Sequence, residues 1–329
     1  MGYARKALVC LNDTPYYHVV ARCVRRAWLW GFDEYAGRDF SHRKAWILDR
    51  LRLLSSIFSI EICAFAVMAN HYHLVLYVDK KGAESLTREE VAERWTLIFG
   101  TPTCIRRYLS GEALEAEREL AESLIEMWRR RLYDISWFMK SLNEHLARRA
   151  NAEDNCTGKF WEGRFKSQAL LDDAGLLTAM AYVDLNPVRA GIAATPEESE
   201  FTSIYERIRE LKPNLTKNGV AGAPAVGLRR FASSGHRDSA IPFGLQEYLA
   251  LVDWTGRAIR PDKRGLIDEQ LPGIAQRLSI DAEAWKHSMR PGGNVFGRAM
   301  GKLNHMRLHA NTLGQSWVRG LRRSSKLYV

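Results

Sequence analysis

The chain has 329 residues, 46% of them hydrophobic and 26% charged, with a formal net charge of +10. That length buries a sizeable core and predicts two domains. The longest apolar stretches fall far short of the ~18 residues a membrane span needs, so no membrane segment is expected.

The residues from Met1 to Cys10 have a basic start but no long apolar run or cleavage site, so no signal peptide is expected. Cys10, Cys23, Cys63, Cys104 and Cys156 are scattered and form no Cys-x-x-Cys pair. They argue for reduced thiols in a cytoplasmic protein, and against a structural zinc site or a disulfide framework. From Lys286 to Val329 there are nine Lys or Arg and no Asp or Glu. A surface like that attracts polyanions, and nucleic acid is the commonest cytoplasmic one. Trp317 and the apolar residues among the charges speak against a merely solubilising tail.

Tyr16 to Val24, after Pro15, is rich in β-branched and aromatic residues and predicts a first strand. Lys44 to Phe58 has amphipathic helical spacing. Ile60 to Val67 and His71 to Val78 predict two further strands, joined as a hairpin across Met68-Ala69-Asn70. Residues 84 to about 126 form an acidic inserted segment, with helices expected either side of Gly100-Thr101-Pro102. Its glutamates read as a solvated face without chemistry. Trp128 to Arg149 predicts one long helix, and Lys159 to Leu171 a loop leading into a fourth strand. Ala174 to Leu185 predicts a helix stopped at Asn186-Pro187, because a residue before proline is biased away from helical ψ.

Without the insertion this order is β-α-β-β-α-β with a trailing helix. It predicts an α+β fold with a ferredoxin-like split β-α-β antiparallel sheet and helices on one face. Residues 213–244 are loaded with Gly, Pro, Ala, Ser and Asn and read as a linker. The expected domains are therefore an α+β one over 1–212 and a basic, all-helical one over 245–329, whose charge points to DNA binding.

Alternate residues of a strand share a face, so His71 and His73 point the same way and are close enough to grip one metal ion. The plainer alternative is a strand with two half-exposed histidines. Tyr182 and Asn186, at i and i+4, would present a phenol and an amide to one point. Their plainer reading is a buried ring and a helix terminator. Phe160, Trp161, Arg164 and Lys166 combine rings and cations in the manner of single-stranded DNA contacts. The alternative is that the rings pack inside while the cations stay at the surface.

Three stretches together resemble a single-tyrosine HUH transposase, most closely the REP-associated tyrosine transposases. They are Asn70-His71-Tyr72-His73, the run from Gly158 to Ser167, and the run from Tyr182 to Gly191. The resemblance covers roughly residues 13 to 210. It implies His71 and His73 as ligands of Mg2+ or Mn2+, Tyr182 as nucleophile, and Asn186 where relatives place a third polar ligand, often Gln. The middle residue of the His pair is usually hydrophobic in that family and is Tyr72 here. Imidazole suits manganese better than magnesium. Single-stranded or hairpin DNA is the implied partner, with no small-molecule cofactor and a monomer or weak homodimer at work. Attack by Tyr182 would give a 5′-phosphotyrosine and free a 3′-hydroxyl, conserving the bond energy for rejoining. Two rivals are a catalytically inactive DNA-binding descendant and a phosphohydrolase whose histidines activate water.

Overall fold

A computed structural model of the chain describes residues 9–24, 32–33, 37–211, 226–232, 240–259 and 272–328. The elements in chain order begin with β1 (Tyr16–Arg22), β2 (Phe32–Asp33), β3 (Arg38–Asp39), α1 (Arg43–Ile57), β4 (Ile60–Val67) and β5 (His71–Val78). Five helices follow: α2 (Lys80–Ser85), α3 (Arg88–Thr96), α4 (Thr103–Leu109), α5 (Glu115–Leu132) and α6 (Ile135–Glu153). Then come β6 (Lys166–Leu170), α7 (Asp173–Asp184), α8 (Asn186–Arg189) and α9 (Ser203–Leu211). The chain continues with α10 (Leu245–Ala258), α11 (Gly273–Arg277), α12 (Ala282–Met289), β7 (Ala299–Met300), α13 (Leu303–Thr312) and α14 (Leu321–Leu327). It divides into two compact units, one of 1–45, 62–77 and 159–329, the other of 46–61 and 78–158.

The first unit is α+β, built on a five-stranded sheet in the order β4-β5-β1-β6-β7. β1 pairs antiparallel with both β5 and β6, placing Val20 opposite His73 and His18 opposite Gln168. The order of β4, β5, β1 and β6 is that of a split β-α-β sheet. The sheet is mixed rather than purely antiparallel, because β7 joins β6 in parallel. Ala169 N donates to Arg298 O at 3.1 Å and Leu171 N to Met300 O at 2.8 Å.

The C-terminal segment is thus not all-helical, and it does not stand apart. Tyr248, Trp254 and Trp285 share one buried cluster with Val75, Leu170 and the α7 residues Met180 and Val183. The expected linker also divides. Residues 212–225 and 233–239 lie outside the described residues, but Leu228 bridges Ile62 and Arg229 N donates to Ile62 O at 2.8 Å. Phe201 O accepts from Val67 N at the other end of β4. These contacts cover an outer strand that would otherwise present unpaired backbone.

α7 starts where Asp172 caps Gly175 N at 2.8 Å. Gly175 itself is forced by a close approach, since a Cβ there would sit 2.6 Å from Met300 O of β7. Gly175→Ala is expected to lower stability by about 1–3 kcal/mol through that overlap. Urea unfolding of variant and wild type measures it, and equal midpoints would refute the contact.

The second unit is helical, and α5 and α6 correct the expectation of one helix over 128–149. Asp134 ends the run between them and caps α6, its side chain accepting from Ser136 N. Trp95 stacks on Phe99 and Trp128, with ring centroids 4.2 and 5.8 Å away. Several of the expected solvated glutamates are paired, as in Arg88–Glu122 and Arg107–Glu117. Such surface pairs contribute little stability. Among the described residues, no helix is long and apolar enough to cross a membrane.

Candidate active site

The strand period puts Tyr16, His18, Val20 and Arg22 of β1 on one sheet face. By register, His71, His73 and Val75 of β5 and Lys166 and Gln168 of β6 join them there. The rings of His71 and His73 lie 4.9 Å apart, centroid to centroid. Tyr182 of α7 meets that face, its ring centroid 6.0 Å from His73 and 6.3 Å from His18. The two histidines and the tyrosine of the sequence pattern therefore come together within one chain.

Two buried groups hold Tyr182 in place. Arg189 lies over the ring, its guanidinium carbon 4.0 Å from the centroid. The same guanidinium donates to Met289 O at 2.7 Å and Gly293 O at 2.7 Å, tying the turn after α12 to the tyrosine. Asp184, fully buried two residues further on, accepts from Ile204 N at 2.9 Å and from the hydroxyls of Ser203 and Tyr248. Burial pushes its carboxyl up to about 6, with these donors acting in the opposite direction. Together they fix the end of the helix that carries the phenol.

A chain of hydrogen bonds sets the tautomer of His73. Gln168 Nε2 donates to the carbonyls of Val295 at 3.1 Å and Ala299 at 3.4 Å. Its Oε1 is left facing His18 Nδ1 at 3.3 Å. An amide oxygen only accepts, so His18 carries its proton on Nδ1. The bare Nε2 of His18 then accepts from His73 Nδ1, 2.9 Å away. That leaves Nε2 of His73 with a lone pair. His71 is set the same way, since its Nδ1 donates to Asn70 Oδ1 at 2.7 Å.

Burial keeps the three rings neutral. It lowers His18 and His71 to about 4 and, with His18, His71 and Arg189 nearby, holds His73 well below the usual imidazole range. A neutral imidazole with Nδ1–H engaged and Nε2 bare is the form that binds a metal. The pair thus fits a divalent cation as two ligands. Among the described residues no group of three or more His, Cys, Asp or Glu is placed to hold one.

The remaining expected residues fare differently. Asn186 opens α8 rather than continuing α7, because Leu185 caps α7 and Pro187 follows. Asn186 is buried, four residues beyond Tyr182. Phe160 is only 4% exposed, which removes its ring as a stacking surface for DNA. Trp161 is half-buried, packed edge-on against Tyr72 at 5.8 Å and Phe160 at 4.9 Å. Arg164 and Lys166 are exposed, and Lys166 lies on the His73 face.

Sequence reasoning passed over His18, Gln168 and the clamping role of Arg189. The signal for His18 was a lone imidazole inside the apolar run Tyr16-Tyr17-His18-Val19-Val20, where a buried polar ring needs a partner.

No family model matches the chain, and no curated protein does. A solved structure of a REP-associated tyrosine transposase bound to a REP hairpin is similar at 13% identity, over 70% of this chain and 100% of that one, with a TM-score of 0.38. That is a slight likeness.

Proposed function

We propose that this chain is a single-tyrosine HUH transposase-like enzyme that cleaves and rejoins single-stranded or hairpin DNA. One observation carries the reading. Tyr182 lies 6.0 Å, ring to ring, from His73, although helix and strand are far apart in sequence. The three motifs noted in the sequence supply the chemistry expected of that meeting. Because the three residues meet within one chain, the geometry favours a site formed in cis.

His71 and His73 would hold Mg2+ or Mn2+ through their bare Nε2 atoms, with Mn2+ the better match for imidazole. When bound, such an ion neutralises charge on the scissile phosphate and polarises its P–O bonds. The chain's own residues do the rest. Arg189 and the Asp184 network hold the phenol of Tyr182 at one end of α7. The Tyr182 O–P bond forms as the P–O3′ bond breaks. The phenolic proton passes through solvent to the departing 3′-oxygen, leaving a 5′-phosphotyrosine and a 3′-hydroxyl. Lys166 and Arg164 are placed at the surface to contact the backbone of the strand.

The test is a hairpin oligonucleotide labelled at its 3′ end, incubated with the full chain and Mn2+ and run on a denaturing gel. A labelled band at the protein's position is the expected result. Cleavage without such a band would favour the phosphohydrolase reading, and binding with neither would favour an inactive descendant.

A further inference from the structure

A cleft of about 740 Å³ opens in the first unit, and its walls come from the segment beyond the resemblance. Phe296 lines it, and the same ring meets His18 edge-on at 5.2 Å, so the cleft begins beside the His18–His73 pair. Gly293, also in the wall, accepts from Arg189, the guanidinium that covers the Tyr182 ring. The cleft is therefore contiguous with the proposed cleavage site.

Its lining suits one ligand chemistry. Trp317 is 62% exposed, an unusual position for the largest aromatic side chain. Around it stand Arg319, Arg322 and Lys326, all exposed. None of the three is in an ion pair among the described residues. Glu283, the acidic residue of the lining, is bonded to Lys286 at 2.7 Å. An exposed indole beside unpaired cations suits a flat π-face strung between phosphates, whereas duplex DNA keeps its bases stacked on each other.

We propose that this cleft takes a single-stranded segment of DNA next to the cleaved bond, with a base stacked on Trp317 and phosphates on Arg319, Arg322 and Lys326. The inference deepens the cleavage reading above and rests on it for the nature of the substrate.

The experiment uses the full chain with Tyr182→Phe as background, so that binding is read without turnover. Anisotropy of a labelled single-stranded oligonucleotide is measured over a range of salt, beside a duplex of the same length. Trp317→Ala should weaken single-strand binding about tenfold and leave the salt slope unchanged. Trp317→Phe should restore most of the loss, which a folding defect would not allow. Arg322→Gln combined with Lys326→Gln should lower the salt slope by about 1.4, at ~0.7 per phosphate contact. Duplex binding should respond little to Trp317→Ala.

Single-strand affinity unchanged in both variants would overturn the proposal. So would equal losses for single strand and duplex, which mark a plain basic patch. The two readings fail separately. If wild type forms the covalent band but the cleft variants bind normally, the cleft is wrong and cleavage stands. If no covalent band forms but Trp317→Ala loses single-strand binding, cleavage is wrong and the cleft stands.

Discussion

Tyr182→Phe is expected to abolish covalent adduct formation and strand cleavage, by at least about 10³-fold, while leaving DNA affinity close to that of wild type. The size follows from removing the attacking atom itself rather than a group that assists it. Phenylalanine preserves the ring that Arg189 covers, so α7 and the turn at 289–293 should keep their places. Gel analysis of the adduct and an anisotropy titration, run on the same preparations, separate chemistry from binding. A variant that still cleaves would assign the nucleophile elsewhere and leave water as the obvious candidate.

The second large effect is expected at a residue that need never touch DNA. His18→Phe keeps an aromatic ring in the buried position but removes the acceptor for His73 Nδ1–H. His73 then has no reason to keep its lone pair on Nε2. Loss of an outer partner of this kind costs about 10–100-fold in metal affinity. Mn2+ titration followed by its electron paramagnetic resonance signal measures that directly, without activity. The 15N shifts of His73 provide the sharper check. In wild type they should report the Nδ1–H tautomer, and in His18→Phe a mixture. A tautomer unchanged by the substitution would show that Gln168 and His18 do not set it. Gln168→Leu, which breaks the same series one step earlier, should act in the same direction and more weakly.

Much of this was legible in the sequence where local pattern and tertiary role agree. β4 and β5 fall where Ile60–Val67 and His71–Val78 suggested, because long apolar runs around a short polar break have few other uses. The His-x-His pair was readable for the same reason, since strand period alone puts both rings on one face.

The misses have physical causes. Ala299-Met300 is too short to have a period, and its strand conformation comes from the backbone of β6 beside it. The break at Asp134 was hidden because apolar spacing runs on through both helices, and only the cap marks the stop. Phe160 looked like a stacking ring on composition, which carries no information about which way a side chain faces. The Gln168–His18–His73 series could be found only from strand register, which joins residues from three separate strands.

β7 also bears on the order in which the molecule matures. Gln168 is oriented by carbonyls 127 and 131 positions downstream, at Val295 and Ala299. Contacts of such high sequence separation form late, because the intervening chain must first give up its freedom. During synthesis β1, β5 and β6 emerge well before those carbonyls, so the earlier strands pair around an amide whose orientation is not yet fixed. The imidazole of His73 is then free to hold its proton on either nitrogen. Presentation of the bare Nε2 of His73 beside that of His71 is thereby deferred until residues 295–300 have docked.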